Sequence, residues 1–405
     1  MRNTLFRKSC LGALAILLSF NVKATNAGEP LKIFILAGQS NMVGHARAHT
    51  IATLYGTGKE RDQKLAEMVF GKESVVSQKL LEEQLKLGKA IDELTGGISM
   101  DKIKKMEDGP EKKALEAKVS KMKEAHEAYK KKVMDACAVS DRVYINSIAD
   151  RNKKSGKLSI GCGGDPKKIG PEYAFGLAMA KKFDGPILLI KTSWGGKSLN
   201  YNYRPPSAGE YELNEKEKSG GKAKEIKKNV GLNYRMMNEA VHNVLGNLKD
   251  NHPAYNEKDG YEISGFVWFQ GFNDQFSPEF RDNYKSNMIH FIKDIRKEYK
   301  VPKMPFVIGV LGTNMTAEKV AENAVSVGQR EAAKAPEFKG NVVSVESYTE
   351  YSHYSYKVFQ QGWPKVYHQW DTVGSDRPYH YLGSGAFFVR LGDSFANAMA
   401  DLMAE

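Results

Sequence analysis

Ser40 stands in the run Ile35-Leu36-Ala37-Gly38-Gln39-Ser40-Asn41-Met42-Val43-Gly44, directly after a short apolar stretch. A serine at a tight strand-to-helix turn sits exposed at a sheet edge, where a base can reach it. Its own N–H and those of its neighbours lack partners at a helix start and can face a developing oxyanion. Flanking glycines let the chain turn and let a substrate approach closely. A Gly-x-Ser alone is usually only a turn, so the weight falls on its companions. One is Trp268-Phe269-Gln270-Gly271-Phe272-Asn273-Asp274, which ends another apolar stretch and offers amide donors that support an oxyanion without exchanging a proton. Another is Asp376-Arg377-Pro378-Tyr379-His380-Tyr381-Leu382-Gly383. Histidine is the usual base for a serine hydroxyl because its ordinary pKa lies near neutrality, and a carboxylate behind it fixes the tautomer. Among nine histidines, His380 is singled out by its neighbouring acid and its place before the last helical pattern.

Such residues need a frame. Leu31–Leu36, Pro186–Lys191, Ile263–Phe269, Pro305–Leu311 and Asn341–Glu346 are short apolar runs of the kind that form strands buried on both faces. Helical patterns lie between and after them, at Pro171–Lys182, Leu232–Leu248, Phe280–Lys300, Ala317–Ala335 and Gly385–Met403. The alternation predicts an α/β fold: a three-layer α/β/α sandwich on a parallel sheet of about five strands, with the working residues at the carboxyl ends of the strands. The stretch 58–138 stands apart, dense in Lys and Glu and almost free of aromatics. Helical patterns over Lys64–Leu94 and Met100–Met134, divided by Gly96-Gly97, predict an inserted helical hairpin, a charged arm or lid flank. The expected division is a leader at 1–27, a catalytic domain at 28–57 and 139–405, and the insertion at 58–138.

The leader has a positive region (Arg2, Arg7, Lys8), an apolar run from Cys10 to Phe20 too short to span a bilayer, and small residues at Thr25-Asn26-Ala27. It reads as a secretory signal cleaved near Ala27, which makes the mature chain secreted or periplasmic. The formal net charge is +12. Removing the leader's cations leaves about +8, with lysines mixed among acids rather than gathered in a stripe, so nucleic acid is not an expected partner. After cleavage two cysteines remain, Cys137 and Cys162, either bridged across a short loop or two separate buried thiols. His45 and His49 lie near the nucleophile with the spacing of a helix face. No carboxylate or cysteine stands with them in sequence to complete a zinc set, so no metal is expected.

Gly-Gln-Ser-Asn-Met after the first strand, a later Trp-Phe-Gln-Gly and a C-terminal Asp…His resemble the SGNH hydrolase superfamily. More closely, they resemble the sialate O-acetylesterase and acetylxylan esterase group of carbohydrate esterases. Gly170-Pro171-Glu172 with Phe175-Gly176 is similar to that group's second segment. Thr192-Ser193-Trp194-Gly195-Gly196-Lys197-Ser198-Leu199 is similar to its Gly-Gly loop, and Tyr203-Arg204-Pro205-Pro206-Ser207 follows in register. The likeness covers Leu31–Gly44 and Arg142–Glu405 and leaves out the leader and the insertion.

The resemblance implies an SGNH, flavodoxin-like fold with Ser40 as nucleophile and His380 as base. It implies an oxyanion hole from the Ser40 N–H, a Gly195 or Gly196 N–H, and the side chain of Asn273 or Gln270. Two positions depart from it. Phe272 replaces the acid of the group's Gln-Gly-Glu, and Gly271-Phe272-Asn273-Asp274 is instead similar to the wider superfamily's Gly-x-Asn-Asp block, which favours Asn273. The group's acid lies three residues before the histidine, where this chain has Arg377. Asp376, four before, either serves through a changed turn or leaves a Ser–His pair supported by a backbone carbonyl.

The implied activity is removal of O-acetyl groups from carbohydrate, either sialic acid or a plant or algal polysaccharide, through an acyl-enzyme and without cofactor. The implied partner is an acetylated oligo- or polysaccharide. Trp194, Tyr201, Tyr203, Phe272, Phe276 and Tyr379 either stack on sugars or pack internally. Arg204 either holds an acidic sugar or anchors its own loop. A lipase- or thioesterase-like SGNH hydrolase is a rival that Gly-Gln-Ser, in place of Gly-Asp-Ser, speaks against. A catalytically silent glycan-binding protein is another, supported by the shifted acid and Phe272.

Overall fold

A computed structural model of the chain describes residues 28–404, so the leader lies outside the described residues. The strands are β1 (Leu31–Gly38), β2 (Ala46–Arg47), β3 (Val143–Ala149), β4 (Asn152–Lys157), β5 (Lys168–Ile169), β6 (Ile187–Ser193), β7 (Tyr261–Phe269), β8 (Phe306–Val310) and β9 (Val342–Glu346). Seven of them form one sheet in the order β4-β3-β6-β1-β7-β8-β9, while β2 and β5 pair separately. Every pair in the sheet is parallel except β3–β4.

The five apolar runs are all strands of this sheet. β1 shows why they read so plainly. Leu31, Ile33, Ile35 and Ala37 enter one core, with residues of the helices Leu232–Leu245 and Tyr284–Glu298. Phe34 and Leu36 enter the other, with residues of Pro171–Lys182 and Gly385–Ala404. Helices on both faces leave no side of the strand for water, so its sequence is continuously apolar.

The sheet is two strands wider than expected. β3 alternates buried and half-buried residues, and β4 (Asn-Lys-Lys-Ser-Gly-Lys) has no apolar residue. A polar, lysine-bearing strand suits a sheet edge because it discourages pairing with other chains, but it carries no hydrophobic signal.

The insertion is helical, with Glu60–Phe70, Gln78–Thr95, a short Asp101–Lys104 and Pro110–Asp135. The first expected helix is broken after Phe70, and the second starts properly only at Pro110. The insertion does not stand off as an arm. Asp62 pairs with Arg390 at 2.7 and 2.8 Å. Asp92 pairs with His368 at 2.8 Å, and Asp371 takes hydrogen bonds from His126 at 3.0 Å and Lys130 at 2.8 Å. Asp62, Asp92 and His126 are buried, and polar groups survive burial only with partners, here supplied by the C-terminal segment.

Cys137 and Cys162 are separate buried thiols, pushed up to about 12 and about 11 chiefly by burial. No described helix is long and apolar enough to cross a membrane.

Candidate active site

β1 lies between β6 and β7, and the carboxyl ends of these three strands carry the Ser40, Gly195–Gly196 and Asn273 loops. A Cβ on Gly38 would run into the Phe269 carbonyl of β7, so the turn into Ser40 demands glycine. The Gly38 carbonyl accepts from Trp194 N–H at 3.2 Å and Tyr203 Oη at 2.8 Å, which ties the turn to the β6 loop. Ser40 opens a four-residue helix, Ser40–Val43. The Met42 and Val43 N–H groups return to the Gln39 carbonyl at 2.8 Å each, whereas the Ser40 N–H has no acceptor among the described residues. Beneath the helix, fully buried Lys191 donates to Val43 O at 2.9 Å, Cys162 O at 2.8 Å and Glu172 Oε2 at 2.7 Å. That ion pair holds the end of the nucleophile helix in place.

Gln39 ties the Ser40 turn to the Asn273 loop. Its Oε1 accepts from Gly271 N at 3.1 Å, Asn273 N at 3.2 Å and Gln270 Nε2 at 3.1 Å, and its Nε2 donates to Asn273 Oδ1 at 3.1 Å. Two backbone donors around one atom identify it as the oxygen, which fixes the orientation of the amide. With its oxygen held, the Asn273 amide keeps two hydrogens without protein partners among the described residues. Buried Gln270 is in the opposite state: its Nε2 also serves Lys197 O at 2.8 Å and Asp274 Oδ2 at 2.6 Å. Asn273 is therefore the available donor. The two glycines separate in the same way. Gly195 N–H is taken by Asp150 Oδ1 at 2.6 Å, while Gly196, at φ +68, keeps its N–H unpaired among the described residues. Asp150 follows β3, the strand that sequence reasoning missed, so its role in orienting the loop was missed with it.

His380 comes from a turn over Pro378–Gly383 in which Tyr381 and Leu382 adopt left-handed φ values of 50° and 65°. Such backbone persists only where the surroundings over-determine it. Tyr381 is fully buried, its Oη accepts from Gly312 N at 2.9 Å and bonds Ser347 Oγ at 2.8 Å, and its ring stacks on Phe387 at 3.9 Å. Asn41 Nδ2 donates to Tyr379 O at 3.3 Å, which brings Ser40's neighbour against His380's neighbour.

Asp376 Oδ1 lies 3.2 Å from His380 Nδ1, but the contact is off the line of a hydrogen bond and leaves that buried nitrogen without an aligned partner. The same oxygen accepts from Arg377 N–H at 2.7 Å. Burial works to raise the Asp376 carboxyl. The His380 ring, the Arg377 N–H and His45 outweigh it and hold the group below the usual carboxylate range.

His45, read from sequence as an ordinary helix-face residue, stacks on His380 at 4.2 Å with 7° between the rings, and its Nδ1 is 3.7 Å from Asp376 Oδ2. Burial first, then the His380 charge, push its pKa down to about 4, so it stands as a neutral wall beside the base. His49 faces a different site, with Nε2 2.6 Å from Asp371 O. Donor atoms of His45, Asp376 and His380 are close enough to share a cation, as are those of His126, Glu127 and Asp371. In the first set the rings are nearly parallel, so their in-plane lone pairs run side by side rather than converge. In the second, Asp371 is already paired with Lys130.

Phe272 packs against Tyr379 at 5.8 Å and Phe276 at 5.2 Å, and both of those partners are exposed, which makes an aromatic rim beside His380. Half-buried Trp194 flanks the glycine loop. Tyr203 is fully buried, and Tyr201 bonds Ile226 O at 3.0 Å, so both are internal supports. Of the two readings of Arg204, the geometry favours the anchor. Its guanidinium serves Asn200, Ala208, Gly209 and Glu210 oxygens at 2.9–3.2 Å and anchors its own loop.

Residues 118–349, more than half of the chain, match the family model described as carbohydrate esterase, sialic acid-specific acetylesterase. The chain belongs to that family. It is therefore a carbohydrate esterase, and the matched span holds the Gly195–Gly196 and Asn273 loops while Ser40 and His380 flank it. No curated protein matches the chain. Among solved structures it is similar to a protein from Arabidopsis thaliana, at TM-score 0.43 and 16% identity over 91% of this chain and 98% of that one. It is also similar to a carbohydrate acetylesterase from Xanthomonas citri, at TM-score 0.37 and 11% identity over 78% and 49%. NanS is a third, at TM-score 0.37 and 9% identity over 78% of each chain.

Proposed function

We propose that the chain is an exported serine esterase that removes O-acetyl groups from carbohydrate through an acyl-enzyme on Ser40. The observation that carries this reading is the bonding of the Ser40 turn to three other loops, through Asn41 to Tyr379 beside His380, Gln39 to Asn273 and the Gly38 carbonyl to Trp194 beside Gly195 and Gly196, with the Ser40 N–H, the Gly196 N–H and the Asn273 amide hydrogens unpaired among the described residues. In the proposed sequence His380, whose Nδ1 faces Asp376, takes the Ser40 proton on Nε2 as Oγ attacks the ester carbonyl. The three donors stabilise the oxyanion, and the sugar hydroxyl leaves with the proton. Water, deprotonated by His380, then attacks the acetyl-serine, and acetate leaves. His45 keeps the base's ring from turning, and Asp376 supplies charge rather than an aligned hydrogen bond. Export rests on the leader, and N-terminal sequencing of the secreted chain should begin at Gly28.

The test is acetate release by residues 28–405 from an activated aryl acetate and a panel of acetylated sugars and polysaccharides, beside Ser40→Ala. Loss of at least about 10⁴-fold in kcat on the variant, with an acetylated Ser40 peptide trapped from the wild type by mass spectrometry, supports the serine mechanism. Equal inertness of both proteins on every ester favours the silent glycan-binding reading, for which the unaligned His380 Nδ1 speaks.

A further inference from the structure

A cleft outside the Ser40 loop lies beside β3, under the helix Leu232–Leu245, with a volume of about 590 Å³. β3 turns half-buried Asn146 and Ile148 into it. One wall carries Asn146, Ile148 and Asp150, and the other carries Met236, Asn243 and Asn247. Trp194 closes the end that meets the active site: it precedes Gly195, and Asp150, also in the cleft wall, holds the Gly195 N–H. The cleft and the oxyanion loop thus share residues.

Its chemistry is that of hydroxyl recognition. Asn146 and Asn247 each give one amide hydrogen to a neighbour, to Asn251 Oδ1 at 2.9 Å and Asn243 O at 2.8 Å, and each keeps its carbonyl oxygen free among the described residues. Amide and carboxylate oxygens accept from sugar hydroxyls, and an indole face beside them stacks on a pyranose ring. The charge of the cleft selects further. Asp150, Glu239 and Asp250 face a single cation, Lys153, on a chain whose overall charge is +12. A local excess of carboxylate repels an acidic sugar.

We propose that this cleft is a subsite for a neutral oligosaccharide, so that the acetyl group is cut from a neutral polymer whose chain runs past Trp194, and not from a free acidic sugar. The inference deepens the esterase reading and rests on it. The test titrates the Ser40→Ala chain with deacetylated xylo-, manno- and cello-oligosaccharides of one to six units, and with galacturonate oligomers and sialic acid, by calorimetry. At least one neutral tetramer should bind ten times more tightly than its monosaccharide. Its affinity should fall at least tenfold when Asn243→Ala and Asn247→Ala are added, and the wild-type melting temperature should be retained as evidence of folding. In the active chain the same pair should raise the ratio of KM for an acetylated tetramer to KM for aryl acetate by a similar factor. Binding only of uronate or sialic acid, no dependence on length, no effect of the paired substitutions, or no binding across the panel each overturns the subsite. A wild type that binds the tetramer yet hydrolyses no aryl acetate overturns the esterase reading instead.

Discussion

Asn273 and Gln270 carry the same amide chemistry three residues apart, and what separates them is which hydrogens are already spent. Asn273→Ala should lower kcat about 10²–10³-fold with little change in KM or melting temperature, the signature of a lost oxyanion donor. Gln270→Ala should instead act mainly on stability, because it strips partners from buried Asp274 and from Gln39. Kinetics and thermal melts on the two variants separate these outcomes, and equal kinetic losses with unchanged melts would reverse the assignment. Asp376→Asn should cost well under the ~10⁴-fold lost where an acid is fully aligned, because its contact with His380 Nδ1 is off the hydrogen-bond line. A loss as large as that would mean that the pair aligns on substrate binding.

At the scale of elements, the nucleophile helix and the histidine turn each hang on one buried polar device. Lys191→Met leaves Glu172 charged and unpaired in the core and should destabilise the protein by about 3–5 kcal/mol in urea melts. Lys191→Met with Glu172→Gln should recover most of that loss, and failure to do so would show that the lysine's bonds to Val43 and Cys162 matter more than the pair. Tyr381→Phe removes the acceptor of Gly312 N–H beside two left-handed residues, costs about 1–3 kcal/mol and should lower kcat by loosening His380. β1, β6, β7 and β8 were legible in the sequence because burial on both faces writes a continuous apolar run, and β9, at the far edge of the sheet, still reads as one through Val342, Val343 and Val345. β3 and β4 were not: β4 is an edge strand without an apolar residue and β3 alternates buried and half-buried residues, so Asp150 and the cleft beside β3 went unseen with them. His45 was hidden for another reason: stacking on a residue 335 positions away leaves no local pattern.

At the scale of the whole molecule, the insertion and the catalytic domain are joined by buried ionic and histidine contacts, which makes stability sensitive to acid. His49 is buried, and burial, which outweighs the opposing pull of Asp371, brings its pKa down to about 4. The unfolded chain therefore takes up this proton near the ordinary 6.5 and the folded chain only near 4. The stabilisation is full above pH 6.5 and is lost as pH falls toward 4, by about 3 kcal/mol. His45 adds a contribution of the same sign. Urea melts at pH 7.5, 6 and 5 should show this decline, and His49→Gln should flatten it; equal stability at all three pH values would remove the assignment. By itself the sequence determined the α/β class, five of the seven strands of the sheet and the helical nature of residues 58–138, because periodicity is a local property. The spending of the Gln270 and Gly195 hydrogens on internal partners, the Arg204 bonds within its own loop, the stacking of His45 on His380 and the docking of residues 58–138 on the C-terminal segment are visible only in the tertiary structure. Each depends on which hydrogen-bonding groups have found partners, and those partners come from distant parts of the chain.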